Sequence, residues 1–227
     1  MYPCIILCGG LGTRLGSLVD KTPKCLLDIN GEPFLKYQIN FLQKNQIDKV
    51  YLSVCHMSKQ FVEFSKNFTF KNIEIKIIND GKSPLGTGGA IKKALGFINS
   101  PAFVIYGDSL LDIDLQKVRD SYQLGKGPLM TIYKNNNKYD KSNVFLQDNK
   151  IIYSKKNPNP LAKYIDYGLG IYEKNYFNYV SEKNFDLSII QEFYSKKHQL
   201  QCYEAKNRFY EIGTKLSYQY ALKHFSK

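Results

Sequence analysis

The sequence predicts an α/β fold, in which helices cover both faces of a mostly parallel mixed sheet and a smaller β-rich region follows. The first half alternates short apolar runs with segments of helical periodicity, the order typical of parallel sheets. The second half has shorter, strand-like runs separated by polar turns. Its 227 residues are 43% hydrophobic and 23% charged, ordinary values for a globular chain, so we expect one domain over 1–227.

The predicted elements of the first half begin with a buried strand at 3–8, which ends at two glycines. A polar loop runs to Lys24, followed by a short apolar stretch at 25–29 and a turn at Asn30-Gly31. Residues 33–43 favour an amphipathic helix with proline in its first turn. Further strands are expected at 49–54, 73–78 and 102–106, and further helices at 58–65, 86–95 and 114–124.

In the second half we predict antiparallel pieces and two helices. Asn149-Lys150 is a predicted tight turn between two of the short strands. The predicted strands are 129–133, 144–146, 151–153, 166–172 and 200–204, and the predicted helices are 187–197 and 214–224. No shift in composition marks a linker, and no internal repeat is present.

Charge and composition limit the functional class. The chain carries 32 Lys+Arg against 20 Asp+Glu, a formal charge of +12, which favours an anionic partner. The basic residues are spread along the chain, so no nucleic-acid groove is indicated. The longest apolar run, at 4–8, is far below the ~20 residues of a membrane span, and a signal peptide is not indicated. Five cysteines without metal-ligand spacing favour reduced thiols and a cytoplasmic location.

A glycine-rich loop follows the first strand: residues 9–15 read GGLGTRL, and Pro23-Lys24 comes next. Glycines let backbone N–H groups approach a phosphate closely. A dinucleotide fingerprint is excluded because Leu15 takes its third glycine position, and a P-loop ending at 81–83 is excluded because Lys76 takes its first. The loop suits a polyphosphate whose charge Arg14 and Lys24 neutralise. The alternative is a tight turn with surface cations.

Two more segments carry candidate chemistry. Residues 84–90, PLGTGGA, place glycines at a helix start, either for close approach of a ligand or for helix packing that only glycine allows. Gly107-Asp108 ends a buried strand, where ligands gather in parallel sheets. Asp108 either caps the next element or joins Glu211 on Mg²⁺, which takes one or two protein carboxylates plus substrate phosphates. The alternative for Glu211 is an acidic residue near the start of the last helix.

These motifs, in this order and spacing across almost the whole chain, resemble the sugar-phosphate nucleotidyltransferases. Within that family the chain is most similar to short members that use heptose 1-phosphate or N-acetylmuramate 1-phosphate. The resemblance implies a Rossmann-like three-layer sandwich with a small β-rich sugar-binding subregion. It also implies an enzyme that joins a nucleoside triphosphate and a sugar 1-phosphate into a nucleotide-sugar and pyrophosphate, for surface polysaccharide synthesis, with GTP and a heptose 1-phosphate as the leading pair.

The resemblance also assigns site residues. It implies catalytic roles for Arg14, Lys24 and Asp108, and Mg²⁺ binding by Asp108 and Glu211, although the family usually has aspartate at the second position. Lys155 or Lys156, a choice that the sequence leaves open, is expected to contact the sugar phosphate together with Tyr167 and Gly168. The nucleotide-binding residues it implies are Leu7, Gly9, Gly10, Gly12, Thr13, Arg14, Lys24, Gly86, Thr87 and Gly88.

Other functions stay open at this point. Base and acceptor selection depend on a few hydrogen bonds placed by loops, so uridylyl or cytidylyl transfer to another phosphorylated acceptor is an alternative. A non-catalytic nucleotide-sugar-binding protein is another, because Glu211 departs from the family pattern. An RNA-binding surface is weaker, since most of the 18 Tyr and 14 Phe fall at core-like spacings. The expected partners are a nucleoside triphosphate and a sugar phosphate, and the oligomeric state is not predicted.

Overall fold

A nine-stranded mixed sheet forms the centre of the protein in a computed structural model that describes residues 1–81, 83–148 and 150–224. In chain order the strands are β1 (Cys4–Leu7), β2 (Asp28–Ile29), β3 (Glu32–Pro33), β4 (Lys49–Val54), β5 (Glu74–Asn79), β6 (Ala102–Tyr106), β7 (Ser109–Leu110), β8 (Leu129–Lys134), β9 (Val144–Gln147), β10 (Lys150–Tyr153), β11 (Tyr164–Tyr172), β12 (Gln201–Ala205) and β13 (Tyr210–Glu211). The α-helices are α1 (Phe34–Lys44), α2 (Ser58–Asn67), α3 (Gly86–Leu95), α4 (Leu115–Ser121), α5 (Ser188–Lys196) and α6 (Lys215–His224).

The sheet runs in the order β10-β9-β11-β6-β1-β4-β5, with β8 paired to both β11 and β12. Strands β6, β1, β4 and β5 are parallel, β11 is antiparallel to β6, and β12 is parallel to β8. Two short antiparallel ribbons, β2-β3 and β7-β13, lie outside it. The predicted fold class, α/β with a mostly parallel mixed sheet, is therefore confirmed.

Helices pack on both faces of the sheet. One core cluster joins α1, α2 and α4 to one face through Ile39, Phe61 and Val118, and a second joins α3 and α5 to the other through Ile91 and Ile190. The interior strand β6 is apolar and buried over its first four residues, AFVI, because both of its faces are covered, and it ends at the half-buried Tyr106. The four parallel strands are thus covered on both faces, with their carboxyl ends at one edge.

The predicted helices and sheet strands are observed with differences at a few ends, whereas the ribbon β7-β13 was not predicted. The predicted helix at 114–124 is shorter, because the Asp114 side chain caps α4 by accepting the amides of Gln116 and Lys117, and the backbone is extended at Tyr122. The predicted turn at Asn149-Lys150 lies partly outside the described residues, since Asn149 is not described. All five cysteines are free thiols. Among the described helices, we find none with the length and apolar character needed to cross a bilayer.

Candidate active site

A cavity of about 330 Å³ opens at the carboxyl edge of the parallel strands. It lies where β1 is flanked by β4 on one side and β6 on the other, the position at which open α/β sheets bind ligands. Its walls come from the ends of β1, β4, β5 and β6 and from the start of α3. The lining residues are Leu7, Cys8, Gly9, Gly10, Leu11, Lys24, Cys25, Ser53, Asp80, Pro84, Leu85, Gly86, Thr87, Ala90, Tyr106, Gly107 and Asp108.

The glycine-rich loop after β1 forms one wall of this cavity. Gly12 has a φ of +65°, a conformation that L side chains rarely adopt. In the hydrogen-bond network of the described residues, the amides of 9–12 donate to no protein acceptor. The chain then forms a short 3₁₀ turn over Thr13–Val19, interrupted at Gly16, so no long helix follows the loop, as predicted. Thr13 and Arg14 are exposed. The loop therefore presents unused N–H groups beside the cavity.

Lys24 and Asp108 form an ion pair at the mouth of the cavity, although 84 residues separate them in the chain. Lys24 begins the 3₁₀ turn Lys24–Leu26 after the extended Pro23, and Asp108 follows the end of β6. Their side chains are only 17% and 15% exposed. Folding thus joins the predicted phosphate-contacting lysine to a predicted metal ligand.

Asp108, Glu211 and Arg14 converge on Gly213. A Cβ built on Gly213 would lie 3.0 Å from Glu211 Oε2, 3.1 Å from Arg14 Nη2 and 3.4 Å from Asp108 Oδ2. The β7-β13 ribbon causes this arrangement, because Glu211 pairs with Ser109 and the Ile212 amide donates to the Asp108 carbonyl over 2.9 Å. The two acids predicted to act together are thus brought together.

Two carboxylates and two cationic side chains set the electrostatics of this cluster. Burial raises the pKa of Glu211, and the charge of Asp108 raises it further, while Arg14 and Lys24 counter the shift. Within the described residues, no group of three or more His, Cys, Asp or Glu could hold a metal by itself. Two carboxylates fit Mg²⁺ when substrate phosphates and water complete its shell. The residues present therefore fit a magnesium ion that arrives with a phosphorylated substrate.

The glycines at the start of α3 serve packing more than ligand approach. A Cβ at Gly88 would lie 2.3 Å from the Phe185 ring, and one at Gly89 would lie 2.1 Å from the Lys183 carbonyl. The amides of Gly88 and Gly89 donate to the Phe185 carbonyl, so these two donors of the first helical turn are occupied. Gly86 and Thr87 line the cavity, whereas Gly88 is buried and absent from its lining. Of the two explanations for these glycines, helix packing applies at 88 and 89.

Replacing Gly89 by alanine should therefore destabilise the protein. Alanine in a helix interior is ordinarily favoured by roughly 1 kcal/mol, but here the backbone carbonyl of Lys183 stands in the way. Overpacking of this kind costs roughly 1–3 kcal/mol. Thermal unfolding should show a melting temperature several degrees below wild type. Gly10→Ala is the matched control, because nothing lies within 4 Å of its Cβ position, and it should melt like wild type.

Lys155 and Lys156 lie in different environments. The Nζ of Lys155 donates to Asp186 Oδ2 over 2.7 Å, and its amide donates to Glu192 over 3.0 Å. Burial alone would raise the pKa of Asp186, but hydrogen bonds from Lys155 and Ser188 hold it below its usual value. Lys156 is exposed and forms no ion pair within the described part of the chain. Lys155 is thus the lysine with a fixed position.

Strand β11 separates two residues predicted to touch the sugar. The Tyr167 side chain is fully buried among Tyr133 and Phe209, and its hydroxyl meets the backbone of Asp112. Because a buried core ring cannot contact a ligand, the expected role of the Tyr167 side chain is corrected to packing. Gly168 lies on the other face with Asp166, whose carboxylate accepts its amide over 2.9 Å.

The cavity also contains polar groups that the sequence analysis did not single out. The cavity lining includes Ser53 on β4, Asp80 just after β5, and Tyr106, the last residue of β6. Their positions in the sequence could have indicated them, since polar residues at the carboxyl ends of neighbouring parallel strands meet at one edge of the sheet. A second cavity of about 380 Å³, lined by aromatic rings and by Arg208, borders Glu211 and Arg14. The acid pair therefore lies between two openings.

Comparison with known proteins gives consistent matches. Residues 4–123 match the family model of the MobA-like NTP transferase domain. The chain is 35% identical over 223 residues to the D-glycero-alpha-D-manno-heptose 1-phosphate guanylyltransferase of Campylobacter jejuni, covering 96% of this chain and 97% of that protein. It is 34% identical over 199 residues to the enzyme of the same name from Aneurinibacillus thermoaerophilus, covering 85% and 86%. The crystal structure of HddC from Yersinia pseudotuberculosis complexed with GMP-PN superposes with a TM-score of 0.82 at 26% identity, covering both chains fully.

Proposed function

This chain belongs to the MobA-like NTP transferase family and is a sugar-1-phosphate nucleotidyltransferase, and on that premise we propose that it transfers a guanylyl group from GTP to a heptose 1-phosphate. Two relatives at 34–35% identity carry this activity in their names, and a solved relative was crystallised with GMP-PN. The products are a GDP-heptose and pyrophosphate. The observation that carries the proposal is the convergence of Arg14, Lys24, Asp108 and Glu211 beside the glycine-loop cavity.

The reaction brings two anions together, so its main obstacle is electrostatic repulsion. Unit charges ~4 Å apart repel by roughly 4 kcal/mol at an effective dielectric near 20. The nucleotide lies in the cavity against Leu7, Gly9 and Gly10, and the free amides of 9–12 face its phosphates. Gly86 and Thr87 close the opposite wall.

The transfer itself needs no protein general base. An oxygen of the sugar 1-phosphate attacks the α-phosphorus of the nucleotide, and the bond from that phosphorus to the bridging oxygen of pyrophosphate breaks. Lys24 stabilises the charge that redistributes on the α-phosphate, as a fixed point charge at the mouth of the cavity. Arg14 presents a planar fork of donors to the leaving pyrophosphate.

Asp108 and Glu211 would hold Mg²⁺. When bound, the ion supplies a Lewis acid that neutralises phosphate oxygens. A glutamate at position 211 suits this role, because its carboxylate oxygen reaches the same point near Gly213 as that of Asp108. The departure from the family pattern at 211 therefore gives no support to a non-catalytic role.

We further propose that Lys155, rather than Lys156, contacts the acceptor phosphate. Lys155 donates to the Asp186 carboxylate. The amide of the next residue, Leu187, donates over 2.8 Å to Oγ1 of Thr87, which lies in the cavity wall. Lys155→Ala should raise the KM for the sugar phosphate by about tenfold or more, the loss of one charged hydrogen bond. Lys156→Ala is the control and should keep the wild-type KM. The reverse pattern in steady-state kinetics would transfer the role to Lys156.

The proposed function is tested by product formation. The purified protein, Mg²⁺ and each of GTP, UTP, CTP and ATP are incubated with heptose, mannose and N-acetylmuramate 1-phosphates. Released pyrophosphate is measured enzymatically, and the nucleotide-sugar is identified by mass spectrometry. GTP with heptose 1-phosphate should give the highest kcat/KM. Absence of a nucleotide-sugar with every pair would refute transferase activity, and a higher kcat/KM for another pair would reassign the substrates.

A further inference from the structure

The outer edge of the sheet, at β5, has no partner strand in the described part of the chain. Strand β5 (Glu74–Asn79) is the last in the sheet order and pairs in parallel with β4 alone. The amides of Glu74 and Asp80 donate to the carbonyls of Asp48 and Val54 over 2.8 and 2.7 Å. Because hydrogen bonding alternates along a strand, the even-numbered residues turn their backbone groups toward β4 and the odd-numbered residues turn theirs outward.

The outward backbone groups belong to Ile73, Ile75, Ile77 and Asn79. The carbonyl of Asn79 accepts a hydrogen bond from Lys93 Nζ over 2.6 Å, so that end of the edge is occupied. The side chains of the three isoleucines are only partly buried, against the core cluster that joins α1, α2 and α4 to the sheet. The edge of β5 therefore offers both backbone groups and apolar surface to another strand.

The opposite face of β5 carries one acidic and one basic residue. Glu74 and Lys76 form an ion pair of 3.3 Å within the strand, and their side chains are 51% and 50% exposed. An exposed pair of this kind contributes little to stability, so both side chains can meet a second chain. Charges on an edge strand ordinarily oppose pairing with other chains. Only a strand that presents the complementary order of charges therefore fits this edge.

A second copy of β5 presents that order when it runs antiparallel. The hydrogen-bonded pairs of an antiparallel ladder join residues whose backbone groups both face outward. With Ile75 opposite Ile75 of the second copy at a two-fold axis, Ile73 lies opposite Ile77. Glu74 then lies opposite Lys76 on both sides of the axis. A slip of one hydrogen-bonding step places Glu74 opposite Glu74 in one direction and Lys76 opposite Lys76 in the other, and like charges directly opposite are destabilising.

We propose that two copies of this chain associate through β5, antiparallel and with Ile75 at the two-fold axis, so that one sheet continues across both chains. Phe97, which is 65% exposed, borders the same edge in a depression of about 450 Å³ that Lys76 also lines, and adds apolar surface. The strand is short, so we expect a small interface and a micromolar Kd. Because the two strands are antiparallel, the two cavities open at opposite edges of the shared sheet. The inference does not rest on the proposed function.

Exchanging the charges tests both the partner and the register. Sedimentation equilibrium of the wild type from about 1 to 200 μM should show the mass rising from the 26.2 kDa of one chain toward twice that value. Glu74→Lys and Lys76→Glu each place like charges opposite each other at both pairs, and each should raise the Kd by about tenfold or more. An equimolar mixture of the two variants restores opposite charges at both pairs and should dimerise like the wild type.

The mixture also excludes misfolding as the cause, because a misfolded variant would not be rescued by a second one. Lys117→Glu is the matched control, since it reverses an exposed lysine on α4, outside β5, and should keep the wild-type Kd. Each chain has a formal charge of +12, so the measurements are made at about 0.15 M salt, where repulsion beyond ~8 Å is largely screened.

Hydrogen exchange followed by NMR locates the contact. The amides of Ile75 and Ile77 should exchange more slowly as the protein concentration rises. The amide of Lys76 bonds to β4 and should be protected at every concentration, which makes it the internal reference. Ile75→Pro removes the donors at the axis, and an edge strand accepts proline where its N–H faces solvent. This variant should stay monomeric and keep the wild-type kcat.

Two kinds of result would overturn the inference. One is a wild-type protein that sediments as a monomer across the whole concentration range. The other is a dimer whose Kd is the same in Glu74→Lys, Lys76→Glu and the wild type, or whose concentration-dependent protection lies outside β5, since the contact would then belong to another surface.

Discussion

The Asp108→Asn variant is expected to release pyrophosphate about a thousand-fold more slowly than wild type at saturating substrates and magnesium. Asparagine keeps the shape of the side chain but removes the charge that faces Lys24 and that converges with Glu211 near Gly213. A metal ion at reacting phosphates supplies several kcal/mol of charge stabilisation, and each 1.36 kcal/mol changes the rate tenfold. Single-turnover rates measured across a magnesium titration should also show a higher metal requirement in the variant.

Asp120→Asn is the matched control for this substitution. Asp120 is exposed, pairs with its neighbour Arg119 and does not line the cavity, so its loss should leave turnover unchanged. Both variants should keep the wild-type circular dichroism spectrum. Wild-type turnover by a folded Asp108→Asn variant would remove Asp108 from the reaction and, with it, the proposed magnesium site.

The Lys24→Ala variant is expected to lower kcat by about 10²- to 10³-fold, the effect of removing one preorganised donor to a charge that develops in the transition state. The lysine is mostly buried at the cavity mouth, where the effective dielectric constant is lower than in water and its charge therefore acts more strongly. The KM for the nucleotide should change less than kcat, since the loop amides at 9–12, the proposed phosphate donors, are retained in the variant. Rapid chemical quenching, which counts bound and free product alike, separates this chemical step from product release.

Lys21→Ala provides the comparison for Lys24, because it removes an exposed lysine from the same segment while leaving its backbone contact to Gln60 in place. Its kcat should equal that of wild type at moderate ionic strength. If Lys24→Ala raised only the KM and left kcat intact, the lysine would contribute ground-state binding alone, contrary to the proposed role.

The overall fold could be predicted because it depends on local patterns. Apolar runs such as 102–106 and the helical periodicity of 33–43 report burial directly. The pairing of β12 with β8 in parallel could not be predicted, since strand direction within a sheet depends on how α5 crosses between distant segments. The same limit applies to Lys24 and Asp108, whose contact depends on the turn after Pro23 and on the β7-β13 ribbon.

Some of the missed features carried a signal in the sequence. In a strand successive side chains face opposite sides, so the prediction that both Tyr167 and Gly168 face the sugar conflicted with the alternation of β11. At Gly88 and Gly89 the glycines alone could not distinguish ligand approach from packing, because the crowding residues, Lys183 and Phe185, lie almost a hundred positions away. Asp80 was missed because no glycine motif marks it.

Residues 183–187 connect the two sites where substrates are proposed to bind. The Lys183 and Phe185 carbonyls and the Phe185 ring pack against the start of α3. The Leu187 amide donates to Thr87 Oγ1, and Asp186 forms an ion pair with Lys155. None of these residues lines the cavity beside the glycine-rich loop, yet their contacts on both sides fix the distance between Thr87 and Lys155. Engineering a new acceptor by exchanging neighbouring loops would therefore have to preserve these five residues, since a shift in this segment would misalign donor and acceptor together.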